Sequence, residues 1–438
     1  MGAEPPTREV PQMTWLRLFL VTLVAGMIGA GIVLGPQPQD VGPELPVAGD
    51  GPYLICPGAV AGGGFTGRLG LFAEDPAPGR LTVVSAGGAS ATIQPAGLGG
   101  AIASIGDLAE LGATPLYVEA SGQIAAATLA GAADAASLVG CVRGSPGPIA
   151  ALGVATLGNE SASLQLVNPF SHDASLRLAL VSELGSDTPS DLESLRLPAA
   201  THLEIGLGQL LTGREAVSIE VEALTGLVAM SVVRAGATDV AAVEALPGSL
   251  EWHIPIFSEA QAGKLHIRSL SDVVGDYRVD RIDQTGTLES VAEATLNPGE
   301  QVVLSVADLG ASQGGLAVVG TEPLVTALVI EDGHRRAIAN GGVLASRWVV
   351  PVSGTGLEGQ NHIWIFNPGD APLVAGFARL DGAGPVTSLE VAPGATVDVP
   401  YGDIGGGGML VESDGLMVVF YGVVSGDAIG LSVATALG

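Results

Sequence analysis

Two short glycine-rich stretches have the spacing of motifs that carry chemistry. GGGFTG at 62–67 matches G-x-G-x-x-G, with which dinucleotide-binding proteins hold a pyrophosphate at the start of a helix. GASQG at 310–314 matches G-x-S-x-G, the nucleophile elbow of hydrolases, with Ser312 as its serine. Both motifs require a following helix, but a strand-like RLGLF follows the first and the second lies in a variable loop. We therefore interpret both as loops, and we predict no cofactor and no catalytic residue.

Neither the histidines nor the densest acidic run has the spacing of a metal site. Six histidines stand singly in the sequence, without H-x-H or H-E-x-x-H pairs, whereas zinc needs several converging ligands. They are His172, His202, His253, His266, His334 and His362. The aspartates at 272, 276, 280 and 283 lack the Asp-x-Asp-x-Asp-Gly pattern of a calcium loop. We predict no metal site and interpret the aspartates as a solvated face, with weak calcium binding as the alternative.

Three tryptophans are the remaining candidates for contact with a ligand. Trp252 and Trp348 begin the similar strands WHIPI and WVVPV, and Trp364 lies in HIWIF. Exposed rings at these positions would stack on sugars, whereas the alternation of these strands favours packing in a core. Glycan stacking by the three tryptophans is therefore the alternative interpretation.

The composition excludes one class of partner and favours one class of fold. The net charge is -28, and Lys264 is the only lysine, so the chain lacks the basic clusters that bind nucleic acid. Hydrophobic residues make up 47% and charged residues 14%, which argues against disorder. With 65 glycines and 4% aromatic residues, strands joined by tight turns are favoured over helices.

An uncharged apolar stretch, LFLVTLVAGMIGAGIVLG, occupies residues 18–35. We predict a transmembrane helix over residues 15–35, which would contact the lipid bilayer, after a cytoplasmic tail (1–14) and before a linker (36–51). Arg8 and Arg17 precede the stretch and no Lys or Arg follows before residue 56, so the bulk of the chain is expected outside the cytoplasm. A cleaved signal peptide and a buried helix are the alternatives.

The rest of the chain contains a repeat of about one hundred residues. Strand-like segments that end in a polar turn recur around Phe72, Val167, Arg268 and Phe366. Each repeat holds about seven strands with frequent turns, which is typical of a β-sandwich. We predict an all-β chain of tandem immunoglobulin-like β-sandwich domains, with a β-propeller as the alternative. The predicted domains are residues 52–146, 147–247, 248–342 and 343–438.

An Asn-Pro pair occupies the same position in two of the repeats. Val167-Asn168-Pro169 and Phe366-Asn367-Pro368 both stand where a strand ends and the chain reverses. An asparagine side chain bonds to nearby main-chain groups, and proline presets φ for a turn. We predict a structural role in the turn, and a ligand site is the alternative.

Cys56 and Cys141, the two cysteines of the chain, fall in the first and last strands of the first repeat. These strands often approach each other in sandwich folds, and the exported side of a membrane is oxidising. We predict a disulfide between them. A catalytic thiol would need a neighbouring base, and neither cysteine has a histidine nearby in sequence.

Four features of the sequence form a pattern: the apolar segment, the Cys56-Pro57 pair, a distant second cysteine, and Gly/Ala/Val-rich repeats with Asn-Pro turns. It resembles an uncharacterised actinobacterial family of exported, single-span proteins with β-sandwich repeats. Members of this family have no assigned activity, so the resemblance transfers no catalytic residue to this sequence. It implies a place in the cell envelope, near the synthesis of envelope polymers.

The predicted function is a non-enzymatic, membrane-anchored extracytoplasmic scaffold or interaction protein, shaped as a rod and contacting another envelope protein. Strand addition at exposed sheet edges would suit such a partner. A protein that binds the cell-wall glycan is the first alternative. An enzyme with its site in a cleft between the second and third or the third and fourth repeats is the second.

Overall fold

In the computed structural model of this protein, nearly every described element is a β-strand. The structure describes residues 53–57, 66–74, 81–85, 90–105, 115–119, 123–132, 135–157, 161–186, 188–235, 240–311, 314–332, 335–352, 360–383, 386–401, 408–425 and 428–437. Within these ranges, one short helix, α1 (Leu207–Leu210), and one 3-10 turn (Glu259–Ala262) interrupt the strands. The predicted all-β class is therefore confirmed.

The predicted transmembrane segment, residues 15–35, lies outside the described residues, as do the predicted tail and the predicted linker. Over the ranges given above, no helix is long and apolar enough to cross a bilayer. The helix α1 has four residues. This finding corrects the predicted localisation, because no helix of the described ranges supports single-pass anchoring with a cytoplasmic N-terminus.

We name the four predicted ranges repeat 1 to repeat 4. Repeat 1 contains β1 (Tyr53–Cys56), β2 (Thr66–Ala73), β3 (Leu81–Ser85), β4 (Ser90–Ile93), β5 (Gly100–Ser104), β6 (Leu116–Glu119), β7 (Ile124–Ala132) and β8 (Ala135–Gly140). They form two antiparallel sheets, of order β1-β6-β3-β4 and β5-β2-β7-β8. Leu54 and Leu116 of the first sheet share a core with Leu69 and Leu71 of the second. Repeat 1 is therefore a sandwich.

Repeat 2 is built in the same way from β9 (Ile149–Val154), β10 (Ser161–Asn168), β11 (Ala174–Ser182), β12 (Gly185–Ser186), β13 (Leu195–Leu197), β14 (Thr201–Gly206), β15 (Val217–Thr225), β16 (Ala229–Ala235), β17 (Val240–Glu244) and β18 (Leu246–Pro247). One sheet has the order β12-β11-β15-β9-β18, with β13 also on β11, and the other has the order β14-β10-β16-β17. In β11, Leu176, Leu178 and Leu180 are buried and Arg177 is exposed. This period of two is what a half-buried strand requires.

In repeats 3 and 4, one long strand pairs with different strands along its two halves and so joins all strands of the repeat into one sheet. Repeat 3 contains β19 (Ser249–Pro255), β20 (Lys264–Ser269), β21 (Gly275–Ile282), β22 (Leu288–Leu296), β23 (Gln301–Ser305), β24 (Gly315–Asp332) and β25 (Arg335–Asn340). Repeat 4 contains β26 (Ala345–Val350), β27 (Gln360–Phe366), β28 (Leu373–Arg379), β29 (Thr387–Val391), β30 (Thr396–Tyr401), β31 (Met409–Ser425), β32 (Ala428–Val433) and β33 (Thr435–Ala436). The first half of β24 pairs with β19 and β21, and its second half pairs with β20 and β25. The strand β31 has the same double role.

The strand order differs from that of the immunoglobulin fold. In an immunoglobulin constant domain, the first strand shares a sheet with the second, fourth and fifth strands. Here the first strand of repeat 1, β1, pairs with the sixth, β6, and β19 and β26 pair likewise with β24 and β31. Repeats 1 and 2 each have two sheets, which also distinguishes them from the blades of a propeller, since each blade is a single sheet.

The predicted disulfide is present between Cys56, at the end of β1, and Cys141, just after β8. It therefore joins the first strand of repeat 1 to the end of its last strand. The two cysteines are 85 residues apart in sequence. Closing a loop of this length stabilises the folded state by about 4 kcal/mol in the chain-entropy model.

Four strands, one from each repeat, pack together, and we call β8, β17, β25 and β32 the hub strands. The strand β8 packs against β17 and β32, and β25 packs against the same two. These contacts form a closed circle, so repeat 1 touches repeat 4 as well as repeat 2. The described residues from 53 to 437 accordingly belong to one compact unit. The prediction of a rod is wrong.

Small side chains allow the hub strands to approach closely. Ala135, Ala136, Ala241 and Ala337 are all buried there. At Gly430 an added Cβ would lie 3.2 Å from both the main chain and the Cβ of Ala136. Protein interiors are close-packed, so a larger side chain at this point would separate two of the repeats.

One carboxyl group is buried in the hub. Glu244 is 5% exposed; its Oε2 accepts a hydrogen bond from Gly140 N at 3.3 Å, and its main-chain oxygen accepts one from Asn340 Nδ2 at 2.9 Å. Burial raises the pKa of Glu244, and this effect exceeds that of the hydrogen bonds, which favour the carboxylate. The three residues come from hub strands of three different repeats.

We expect Glu244→Gln to change the pH dependence of stability. The carboxyl group of Glu244 binds its proton more tightly in the folded state than in the unfolded state, because its folded-state pKa is raised. The stabilisation that this proton gives is complete below the unfolded-state pKa of about 4.3. It is lost as the pH rises through the folded-state pKa. Glutamine keeps the acceptor and carries no charge. The Tm of the variant should therefore match that of the wild type near pH 4 and exceed it increasingly towards pH 8, as measured by calorimetry. The exposed control Glu293→Gln should show no such trend, and parallel Tm curves for Glu244→Gln would contradict the expectation.

Candidate functional site

Grooves occur where the first sheet of one repeat faces a turn of the next. The groove between repeats 3 and 4, groove 3/4, has a volume of about 610 Å³ and is lined by β19, β21, β24 and the turn after β27. The groove between repeats 2 and 3, groove 2/3, has a volume of about 680 Å³ and is lined by β11, β15 and the turn after β20. These volumes lie in the usual range of ligand sites, about 300 to 1,000 Å³.

The two grooves are equivalent in the repeat. Leu270–Asp272 in groove 2/3 and Pro368–Asp370 in groove 3/4 hold the same position in their repeats. The two segments are 98 residues apart, and each follows the corresponding strand of its repeat. The Asn-Pro-Gly-Asp turn of repeat 4 therefore contributes to a groove as well as reversing the chain. Nothing local in the sequence shows that this turn faces a sheet of the preceding repeat.

The asparagine of the turn acts inside its own repeat. Asn367 Nδ2 donates to three main-chain oxygens, those of Ala371 at 2.8 Å, Val391 at 3.0 Å and Ala392 at 3.2 Å, and Oδ1 accepts from Gly369 N at 3.0 Å. Asn168 makes the equivalent four bonds in repeat 2. The amide thus holds the strand end, the turn and a distant segment together, which confirms the predicted turn chemistry.

The glutamates of groove 2/3 are paired with arginines of the protein itself. Arg268 is 1% exposed; its Nη2 donates to Glu220 Oε2 at 2.6 Å and its Nη1 to Ser218 Oγ at 2.6 Å. This contact crosses from repeat 3 to repeat 2. Arg177 pairs with Glu222 nearer the surface, where the arginine side chain is 60% exposed. The two glutamates on this face of β15 therefore both have arginine partners.

Groove 3/4 is more apolar at the same positions. Arg177 lies opposite Glu222 on the paired strands β11 and β15, and Arg278 lies opposite Val319 on the equivalent strands β21 and β24. Val319 therefore takes the place of Glu222. Ala317, two residues earlier, takes the place of Glu220. Leu288 and Leu416 also line groove 3/4, and they are 61% and 56% exposed. Sequence reasoning missed both leucines, although Leu288 begins an otherwise acidic segment, LESVAE.

The polar residues of groove 3/4 are mostly acidic. Arg278 Nε donates to both carboxyl oxygens of Asp280, at 2.7 and 2.9 Å, so these two charges balance. Glu251, Asp370 and Asp414 also line the groove. Of these, Asp414 accepts a main-chain hydrogen bond from Val374 N at 2.9 Å. The groove therefore carries negative charge over an apolar floor.

A buried histidine completes the wall of groove 3/4. His253 is 3% exposed and its Nε2 lies 2.9 Å from Glu251 Oε1. Burial lowers the pKa of His253, so the ring is neutral at pH 7 and Nε2–H donates to the carboxylate. The histidine therefore does not neutralise Glu251.

The three tryptophans are buried in the core, the interpretation that the alternation of their strands favoured over glycan stacking. Trp252, Trp348 and Trp364 are 4%, 1% and 1% exposed. Trp252 Nε1 donates to Leu324 O at 2.6 Å, and Trp364 stacks on Phe257 of repeat 3 at 4.1 Å between ring centroids. The alternation of these strands places the rings in the core, as their pattern favoured.

The other candidate residues are not brought together. Asp276, Asp280 and Asp283 bond to different partners: Thr295, Arg278 and Thr285. Among the described residues, no group of three or more His, Cys, Asp or Glu side chains is placed to hold a metal ion. His266 is buried beside Arg336 and Lys264, and burial chiefly lowers its pKa to about 3. Ser312, His334 and most of the 62–67 stretch lie outside the described residues.

Comparison with known proteins gives no family for the chain. No protein-family model matches it, and no curated protein matches it. A solved structure titled "Biofilm associated protein - BSP domain" is 7% identical, with 92% of this chain and 99% of that chain covered and a TM-score of 0.15. A tetra-tandem repeat from the extending region of a large adhesion protein is 10% identical, with coverage of 87% and 93% and a TM-score of 0.11. Scores this low carry no argument about fold or function.

We expect Arg268→Ala to lower the free energy of unfolding by about 3 kcal/mol, because it leaves Glu220 and Ser218 without their buried donor. The matched control is Arg177→Ala, which removes an exposed pair from the same groove and should cost less than about 1 kcal/mol. Urea unfolding measures both. Equal losses for the two variants would show that Arg268 does not hold the junction of repeats 2 and 3.

We expect Asn367→Ala to cost about 3 kcal/mol, because three main-chain oxygens lose their donor and the amide is 2% exposed. Asn297, whose side chain bonds only to the neighbouring Glu300 at the surface, provides the control. Asn297→Ala should change the unfolding free energy by less than about 1 kcal/mol. A similarly small effect of Asn367→Ala in urea unfolding would contradict the structural role of the amide.

Proposed function

We propose that this protein is a non-enzymatic scaffold that binds partner proteins at the grooves between its repeats. The observation that carries the proposal is the closure of the four repeats into a circle. Each groove is made by two repeats, so its shape depends on how those repeats are held. In a closed circle every repeat has two neighbours, and a site built on such a support keeps its geometry.

The junction between repeats 4 and 1 shows how the circle closes. Leu380 O accepts a hydrogen bond from Leu98 N at 2.8 Å, and Arg347 Nη1 lies 2.9 Å from Glu74 Oε1. Phe72 of repeat 1 is buried in the same cluster as Leu380. Hydrogen bonds, an ion pair and apolar packing therefore all join the first and last repeats.

The close fit at this junction supports a fixed arrangement of the repeats. A Cβ added at Gly70 would lie 2.1 Å from Pro351 O, and one at Gly100 would lie 2.3 Å from Leu380 Cβ. Distances this short leave no room for a side chain. The sequence of repeat 1 is thus fitted to repeat 4, although about 280 residues separate the contacting positions along the chain.

The disulfide supports work in an oxidising compartment, since such bonds persist outside the reducing cytoplasm. Assistance to envelope polymer assembly and kinship with the actinobacterial family are part of this proposal. The repeat layout and Cys56-Pro57 support the kinship. Glycan binding by the tryptophans is not proposed, because all three rings are buried.

Site-specific photo-cross-linking in the native cells tests the scaffold function. Leu416 in groove 3/4 and Pro323 in groove 2/3 are each replaced by p-benzoylphenylalanine, with the exposed Leu224 in repeat 2 as the control position. We expect discrete protein adducts from one or both groove positions and none from Leu224. No adduct at either groove, or the same adducts at all three positions, would overturn the proposal.

A further inference from the structure

The two equivalent grooves differ in whether the protein pairs their acidic side chains with arginines from both adjoining repeats. In groove 2/3, Arg268 reaches from repeat 3 to Glu220 of repeat 2 and is itself buried. In groove 3/4, the position of Arg268 is taken by Phe366, which is fully buried, and the position of Glu220 is taken by Ala317. Among the residues of repeat 4 that the structure describes, no side chain therefore supplies a cation to groove 3/4 in the way that Arg268 supplies one to groove 2/3.

Exposed apolar side chains stand on both walls of groove 3/4. Leu288 comes from repeat 3 and Leu416 from repeat 4, and more than half of each residue is exposed. Val319, which is half-buried, lines the same groove. Apolar surface gathered at one place marks sites of interaction, whereas single exposed leucines do not. An apolar side chain in this groove would therefore have apolar partners from both repeats.

The charge of the groove defines the second property of its ligand. Glu251, Asp370 and Asp414 have no cationic partner among the described residues, because Arg278 is taken by Asp280 and His253 is neutral. Carboxylates beside an apolar floor attract cations, and the attraction is stronger where the site is shielded from water. The net charge of -28 favours a cationic partner further.

We propose that groove 3/4 binds a basic, leucine-containing segment of a partner protein. The apolar side chains of the segment contact Leu288, Leu416 and Val319. Its lysine or arginine side chains pair with Glu251, Asp370 and Asp414. This inference rests on the proposed scaffold function and names the chemistry of the partner at one groove.

Fluorescence anisotropy with the full-length protein tests the inference. The probes are fluorescein-labelled peptides of about six residues that alternate Lys and Leu, Lys and Ser, or Glu and Leu. We expect the Lys-Leu peptide to bind at least about tenfold more tightly than the Lys-Ser peptide and the Glu-Leu peptide not to bind. The first comparison isolates the apolar contribution and the second isolates the charge.

Variants of exposed groove residues locate the site. Leu416→Ser and the double variant Asp370→Asn/Asp414→Asn should each weaken binding of the Lys-Leu peptide about tenfold. The controls Leu224→Ser and Asp308→Asn remove the same types of side chain elsewhere and should leave the affinity unchanged. Thermal unfolding of each variant shows whether its fold is retained. Should a groove variant unfold, Leu288→Ser on the opposite wall replaces it with the same expected loss.

Two results would overturn the inference. Equal binding of the Lys-Leu and Lys-Ser peptides would show general attraction to an acidic chain, and equal losses in groove and control variants would place the site elsewhere. Either result together with cross-linked adducts at Leu416 would reject the basic segment and leave the scaffold function standing. Specific peptide binding without any adduct in cells would support the groove chemistry and reject the scaffold function.

Discussion

Four β-strands from four repeats can pack around one centre only if the side chains between them are small. Ala136 and Gly430 show this constraint directly, because one additional carbon at Gly430 would approach the main chain of Ala136. The junctions between neighbouring repeats depend on it, since they form where the hub strands bring adjacent sheets together. The chain is rich in alanine and glycine, and in the hub this composition follows from the close approach of the repeats.

The same arrangement explains why the polar contacts of the hub cross between repeats. Glu244 receives a hydrogen bond from repeat 1 through Gly140 and from repeat 3 through Asn340. A buried polar group must find a partner, and here the partners come from neighbouring repeats. The burial of Glu244 therefore depends on correct assembly of the repeats, and so does the disfavoured ionisation of its carboxyl group.

Much of each repeat could be predicted from the sequence, because the forces within a repeat are local. The alternation in segments such as Ala174–Ser182, the Asn-Pro turns and the two cysteines each give a local signal, and the structure confirms the β-class, the turn chemistry and the disulfide. The arrangement of the repeats leaves no such signal. A strand that packs against another repeat, such as Ala135–Gly140, has the same apolar residues as one packed within its own sandwich. The grooves escaped prediction for the same reason, since each is formed by residues more than one hundred positions apart, as with Arg278 and Leu416.

The junction of the first and last repeats has a consequence for biosynthesis. Repeat 1 leaves the ribosome before repeat 4, yet its contact surface for repeat 4, around Phe72 and Gly70, finds its partner only when repeat 4 has been made. Until then this apolar surface has no partner, and such surfaces promote association between nascent chains. The disulfide stabilises the repeat that must wait longest for its neighbour. Early oxidation would therefore protect a waiting intermediate as well as stabilise the finished protein.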